Sequence, residues 1–273
     1  MTKRQDMTNS QLGAMIANTS TPPPTTRVDL AERPGETRKQ REVRVREARI
    51  LSVAREQVLE GGYLGLNMDR IASEIEYSKG TIYQHFRNKE EILLALTNDA
   101  LDTRLRMFEA AAGHVAPTRV RLATVGAAAE AFVEQFPYHF KVEQIVRAAS
   151  IWEKTSPERR RLMESCERRC MATVVRIVHD ALAAGELTLD DRVQPEEVVF
   201  GLWSIYLGAQ IIAHTSHALN EIGIESAVSS LRTNQSMMLD GYRWAPMSDD
   251  YDYPFHMDRV KQQCFRHEQF APR

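Results

Sequence analysis

Four prolines, Pro117, Pro137, Pro157 and Pro195, each stand at the head of a run in which apolar residues recur three and four positions apart. Proline is tolerated in the first turn of a helix because the N–H it lacks would have had no intrahelical partner. In the middle of a sheet the same residue removes a ladder bond. The punctuation therefore predicts helices. One follows Pro117, striped by Leu122, Val125, Ala129, Phe132 and Phe136. An aromatic one runs from Pro137 to about Trp152, one from Pro157 to Gly185, and a very apolar one starts at Pro195. A last helix is expected from Ile224 to Tyr242. No segment alternates convincingly with period two and no fixed repeat occurs, so the fold class is all-α.

The N-terminal third is organised by caps instead of prolines. Residues 1–36 are polar and contain "TSTPPPTT", which reads as a flexible arm, with Met7 and Met15 as alternative starts. From about Thr37, Val43, Ile50, Leu51, Ala54 and Val58 fall in one sector of a helical wheel. "GGY" ends that helix, with Gly61 available as a left-handed cap. Asn67 caps a short helix carrying Ile71 and Ile75 on one side, and Ser78 caps another with Ile82 and Phe86 one turn apart. Asn88, with Glu91 as a capping-box partner, starts a long helix striped by Leu94, Leu101, Leu105, Phe108 and Ala112.

Composition narrows the function classes. At 273 residues, 43% hydrophobic and 26% charged, the chain reads as an ordinary soluble protein of one large domain or two unequal ones. A net charge of −2 means that any affinity for nucleic acid comes from local charge. Three cysteines cannot all pair, which fits a reducing cytoplasm. The most apolar run, Val198 to Ala213, has 16 residues and contains Ser204 and Gln210. That is short of the roughly 20 needed to cross a bilayer, so no membrane partner is expected. Leu12 to Ala17 is too short for a signal peptide, and the sequon at Asn18 carries no weight in a cytoplasmic protein.

Two short helices, about Met68 to Glu74 and Ser78 to Phe86, joined by a tight turn and braced on both sides, make a helix-turn-helix. In that geometry the second helix enters the major groove of double-stranded DNA. Ile82 and Phe86 face inward, leaving Lys79, Thr81, Tyr83 and Gln84 outward. Gly80 lets the backbone approach closely. Gln84 suits an adenine edge, and Thr81 or Tyr83 a thymine methyl. Lys79 and Lys89 can neutralise phosphates, and the start of the Asn88 helix can receive another.

These residues resemble the tetracycline-repressor (TetR) family of bacterial regulators. The resemblance rests on "GGY" at 61–63, "DRIASEI" at 69–75 and "SKGTIYQHFRNKEEIL" at 78–93, about a fifth of the chain. It implies a three-helix DNA-binding domain at 37–87 and a helical effector-binding and dimerisation domain at 88–242. The tail at 243–273 is longer than the family pattern requires, and its aromatic content predicts that part of it docks on the body or at the dimer seam. The resemblance further implies a homodimer that binds an operator and is released by a small-molecule effector, with no cofactor and no enzymatic activity. The positions matching the family's DNA contacts are Lys79, Thr81, Tyr83, Gln84 and His85, with Lys89 as phosphate clamp and Asn67 where the family often has a phosphate-binding threonine. Glu76 stands where the family usually has a turn glycine. Either it adopts a left-handed conformation, at about 1–2 kcal/mol, or the turn differs.

Several readings stay open at this stage. Arg38, Arg41 and Arg44 suit phosphate contact or a minor-groove arm, or are a solvated face with internal ion pairs. Phe132, Phe136, His139, Trp152, Met163, Met171 and Tyr206 either line an effector cavity or are plain core. Gly201, Ser204 and Gly208 on the Pro195 helix would admit a partner helix across a two-fold axis, since a helix apolar around most of its circumference is buried on several sides. Cys166 and Cys170 read as a thiol pair or as part of an apolar stripe with Leu162, Val174 and Ile177. His214 and His217 are weak metal candidates without a third ligand. An effector-independent DNA-binding protein, whose large lobe only dimerises or binds a protein partner, is the alternative.

Overall fold

A computed structural model describes residues 35–148, 151–216 and 218–270. Nearly all of the expected N-terminal arm, His217 and the side chain of Trp152 lie outside the described residues. Contacts divide the chain into a unit ending at Ala48 and a unit from Arg49 onward.

In the first unit, helix α1 (Arg38–Gly65) begins. Its early arginines are engaged: Arg44 makes a two-pronged bond to Glu36 at 2.9 and 3.0 Å, and Arg38 pairs with Glu42 at 3.0 Å. Val43, expected on the apolar sector, is 37% exposed.

In the second unit, α1 buries Ile50, Ala54 and Val58. The helix breaks at Gly62, which takes φ 61°, and not at Gly61. There follow α2 (Met68–Glu74), α3 (Lys79–His85), α4 (Lys89–Ala112), α5 (Thr118–Gln135), α6 (Pro137–Ala148) and α7 (Pro157–Ala184). The Asn67, Ser78 and Asn88 side chains cap α2, α3 and α4 as the sequence predicts. The capping box of α4 is shifted by one: Glu91 accepts from the N–H of Arg87, not of Asn88. Gly185 ends α7 in the left-handed region at φ 70°. The aromatic helix stops at Ala148, and Trp152–Lys154 forms a single 3-10 turn.

Helix α4 is buried over most of its circumference and packs against α5, α6 and α7. Two apolar cores meet along it. One gathers Ile50, Ile71, Ile82 and Phe86 with Ile92 to Leu101 and, from the lobe, Val142, Val146 and Met163. The other gathers Leu105, Met107 and Phe108 with Phe132, Cys170, Ile177 and Trp244. The cysteine stripe is buried only from Cys170, since Leu162 is 54% exposed. Burial pushes both thiols up, the opposite of what an activated thiol needs.

Helix α8 (Pro195–Thr215) differs from expectation. Within the chain it buries Val198, Val199, Leu202 and Gln210, while Phe200, Ile211 and Ile212 stay exposed. It is long and apolar enough, by length and composition, to cross a membrane, although it packs against α7 and α9 (Ala227–Gly241). Gly201 is where α9 comes close: an added Cβ would lie 2.6 Å from Met238 Cε, so that small residue serves a contact inside the chain. Gly208 has nothing within 4 Å and Ser204 is exposed.

Beyond α9 the chain continues through buried Trp244 into α10 (Tyr253–Cys264) and α11 (His267–Phe270). Helix α10 lies on α5 at Gly126, where an added Cβ would stand 3.2 Å from Met257. Arg119, 1% exposed, bonds Asp240 at 2.6 Å and the Trp244 carbonyl at 2.7 Å, fixing the tail's entry. Among the described residues there is no strand.

His139 belongs to the packing of α6. It is 3% exposed and stacks on Phe136 at 5.4 Å. Burial, with Arg55 nearby, lowers its pKa from 6.5 to about 3. A neutral buried histidine contributes stability that is whole above its unfolded pKa and is lost as pH falls toward its folded one. Stability should therefore fall by up to about 1.4 kcal/mol per pH unit between roughly pH 6.5 and 3 on account of this residue. Urea denaturation across that range should show the slope reduced by one proton in His139→Phe.

Candidate nucleic-acid interface and cavity

The second and third helices are joined by a turn with a defined hydrogen-bond pattern. The N–H of Tyr77 donates to the Ala72 carbonyl at 3.0 Å and that of Glu76 to Ser73 at 3.3 Å. These are the two bonds of a Schellman ending, in which the residue beyond the cap is left-handed. That residue is Glu76, at φ 58°. The turn thus has the geometry of the glycine-containing form, built with a residue disfavoured there.

Helix α3 is anchored from behind. Ile82 and Phe86 are fully buried, and the Ser78 hydroxyl accepts from the N–H of Thr81 at 3.1 Å. Four residues are left on the outer face: Lys79, Gly80, Tyr83 and Gln84 are exposed, with Tyr83 at 50%. Thr81 and His85 are half-buried. Lys79 bonds Asp69 at 2.7 Å, but both are over half exposed, and such pairs are worth about 1 kcal/mol or less. A phosphate can compete for it.

Beside α3 lies a shallow cleft of about 380 Å³ lined by Asn67, Tyr83 and Lys89 together with Arg87, Asn88 and neighbouring residues. Three residues singled out from sequence thus share one surface, and Arg87 adds a cation that sequence reasoning passed over. Asn67 Oδ1 accepts from the N–H groups of Asp69 and Arg70, leaving its amide nitrogen for an incoming acceptor. Lys89 lies over the Tyr63 ring at 4.1 Å. Tyr63 in turn donates to Glu90 at 2.6 Å; this bond, aided by burial, raises the phenol to about 12. Burial would push Glu90 up, but Tyr63, Lys154 and Lys89 hold it below the ordinary range. The start of α4 is less open to phosphate than expected, because Glu90 and Glu91 already occupy its first turn.

The junction is bolted to the lobe. Asn88 donates to the Lys154 carbonyl at 2.8 Å, and Glu91 accepts from Ser156 at 3.3 Å. Arg159 lies over the Phe86 ring at 4.5 Å and donates to the His85 carbonyl at 3.3 Å. No local signal in the sequence marks Arg159, since His85 and Phe86 are more than 70 residues away.

A cavity of about 680 Å³ lies in the lobe, within the roughly 300–1,000 Å³ usual for small-molecule sites. Of the residues expected there, Met171 and Tyr206 line it. Phe132, Phe136, His139 and Met163 are corrected to packed core: all are at most 5% exposed and none is in the lining. The lining includes Phe108, Trp203 and Arg104, and residues of the tail. Among the described residues no group of three His, Cys, Asp or Glu could hold a metal, and His214 Nδ1 is 2.7 Å from the Gln210 carbonyl.

Residues 50–96 match the model of the bacterial regulatory proteins, tetR family. That stretch contains the core-forming part of α1, the whole helix-turn-helix and the start of α4. Over residues 50–96 the chain is thus similar to the bacterial regulatory proteins of the tetR family. The "Fatty acid metabolism regulator protein" of Bacillus subtilis is 32% identical over 76 residues, covering 28% of this chain and 39% of that relative. A TetR/AcrR-family regulator from Thermobifida fusca is 27% identical over 73% of this chain and 99% of its own, at a TM-score of 0.53. FadR from Bacillus subtilis, solved with stearoyl-CoA, is 19% identical over 71% and 98%, at 0.52. Both structures are matched almost end to end while about a quarter of this chain falls outside them.

The family's usual turn glycine makes Glu76 a test of strain. Glu76→Gly should stabilise the protein by about 1 kcal/mol, since it relieves the left-handed penalty of about 1–2 kcal/mol at some cost in unfolded-chain entropy. Guanidinium denaturation checks the sign; a destabilised variant would mean that Glu76 is unstrained.

Proposed function

We propose that this chain is a dimeric, sequence-specific DNA-binding regulator of transcription, acting as a repressor released from its operator by a small molecule. One observation carries the DNA-binding half. Helix α3 is held by two fully buried side chains and presents Lys79, Gly80, Tyr83 and Gln84 outward, next to a cleft shared by Asn67, Arg87 and Lys89. Groups suited to base edges and groups suited to phosphates thereby lie side by side on one surface, and recognition of a duplex uses both kinds. Tyr83→Ala should weaken specific binding by about 1–3 kcal/mol. Lys89→Ala should weaken binding to all DNA and lower the salt slope by about one unit. Titrations at several salt concentrations, with an operator selected in vitro from random sequence, measure both. An unchanged slope for Lys89→Ala would take that residue off the phosphate.

The lobe cavity supports the effector half, as does the structural neighbour solved with stearoyl-CoA. The exposed apolar face of α8 supports a homodimer. Gly208 has open space around it, so Gly208→Trp should fold normally as a single chain and yet disturb a partner helix seated on that face. Sedimentation at micromolar concentration should show a shift toward monomer. A stable, unchanged dimer would move the interface elsewhere. The arginines Arg38, Arg41 and Arg44 are proposed as auxiliary phosphate contacts only, since each has an interaction within the chain.

A further inference from the structure

The lining of the lobe cavity contains four cations, and each is matched by a carboxylate. Arg104 pairs with Glu143 at 2.6 Å, Arg119 with Asp240 at 2.6 Å, Arg232 with Glu130 at 2.6 Å and Asp258 at 2.8 Å, and Lys261 with Glu134 at 2.7 Å. An anionic ligand would have to take a cation from its partner and leave a carboxylate unpaired, in two of these pairs a deeply buried one. A cationic ligand would likewise find each of these carboxylates occupied.

Among the described residues of the lining, one buried side-chain polar atom has no hydrogen-bond partner. Arg104 is 8% exposed, it lines the cavity, and its Nε–H makes no hydrogen bond. Guanidinium can only donate. An unmet buried donor is costly, so a group that accepts from it gains more than the same contact would in water. The remaining wall is largely apolar, including Phe108, Leu122, Val125, Leu202 and Met257.

The wall is also completed by the tail. Tyr251, Tyr253 and Met257 belong to the lining, and α10 is held over it by two ion-paired bridges: Arg232 joins α5 to Asp258, and Lys261 joins α10 to Glu134. The tail lies beyond α9, in a chain of which about a quarter falls outside its structural neighbours.

We infer that this cavity takes an uncharged, mainly apolar molecule, enclosed in part by the C-terminal helix, whose one hydrogen-bond acceptor (a carbonyl, ether or hydroxyl oxygen) meets Arg104 Nε. The inference rests on the effector reading above and narrows it. It departs from the stearoyl-CoA of the solved neighbour, whose head carries phosphates.

Three probes on a nine-carbon frame test it by calorimetry with the full chain at neutral pH: 2-nonanone, nonanoate and nonylammonium. The ketone should bind at least about tenfold tighter than either ion. Replacing the buried pair together, Arg104→Met with Glu143→Leu, removes the donor without stranding a charge, and should weaken the ketone about tenfold. Should that variant fold poorly, Met257→Trp fills the cavity from the tail side, leaves the pair intact, and should abolish ketone binding. Tighter binding of either ion, no binding of any probe, or a ketone affinity indifferent to Met257→Trp would overturn the inference. Titrating the selected operator in parallel separates the two levels. A ketone that binds and leaves operator affinity unchanged supports this cavity chemistry and sinks the effector reading. Nonanoate that binds more tightly and releases the operator does the reverse.

Discussion

Helix α4 has little surface of its own. Its first half, from Ile92 to Leu101, is packed into the core that carries the recognition helix, and its second half, from Leu105, into the core of the lobe. Its start is fixed by polar bonds instead of packing. Asn88 caps it and reaches the Lys154 carbonyl, while Glu91 gathers the N–H groups of Arg87 and Ser156. A nearly buried carboxylate that satisfies two backbone donors is expensive to disturb. The orientation of Tyr83 and Gln84 is thus referred through Phe86 and Asn88 to this one helix.

A second helix runs alongside it. Arg159, in the first turn of α7, touches both Phe86 and His85, and Met171 and Val174 farther along line the cavity. On α4 the corresponding pair is Lys89 and Arg104. At 1.5 Å per residue the two paths are about 18 Å and about 23 Å long. Both are single helices, stiff along their axes, so neither requires a chain of loosely coupled side chains. If a ligand prefers one placement of Arg104 and Met171, the ends of α4 and α7 at the recognition helix shift with it. Coupling of that kind is reciprocal, so DNA must oppose the ligand as strongly as the ligand opposes DNA.

Local chemistry explains what the sequence made legible. Caps and stripes are short-range, and Asn67, Ser78, Asn88, Ile82 and Phe86 all do what their spacing implies. Glu76 was readable only as two alternatives, a left-handed residue or a different turn, and the Schellman bonds decide for the first. What failed depended on distant partners. Phe132, Phe136 and His139 have the composition of a binding site, but their rings stack on one another and are closed off by the tail, with His267 on Phe136 at 4.7 Å. Arg104 is marked by no local spacing on its long helix, and its buried partner Glu143 is 39 positions away. Gly201 was rightly read as a point of close approach but assigned to the wrong neighbour, since a small residue does not say which helix will use it.

Helix α8 is only partly covered by its own chain. Apolar on nearly every side, it spends one face on α7 and α9 and leaves Phe200, Ile211 and Ile212 uncovered, with Met237 of α9 exposed at 69%. Large apolar side chains exposed in this way cost free energy in water, and association relieves that cost. In the proposed dimer the same face would do a second job. The cavity is walled in part by Leu202, Trp203 and Tyr206 of α8 and by α9, so the helices that would meet a partner are also those that would hold a ligand. A ligand that moves them would alter the dimer's angle directly, while α4 and α7 carry the change to each recognition helix. Because two half-sites on DNA are separated by fixed helical turns of about 34 Å, a small change of angle at α8 in that proposed dimer would be enough to take the second recognition helix out of register.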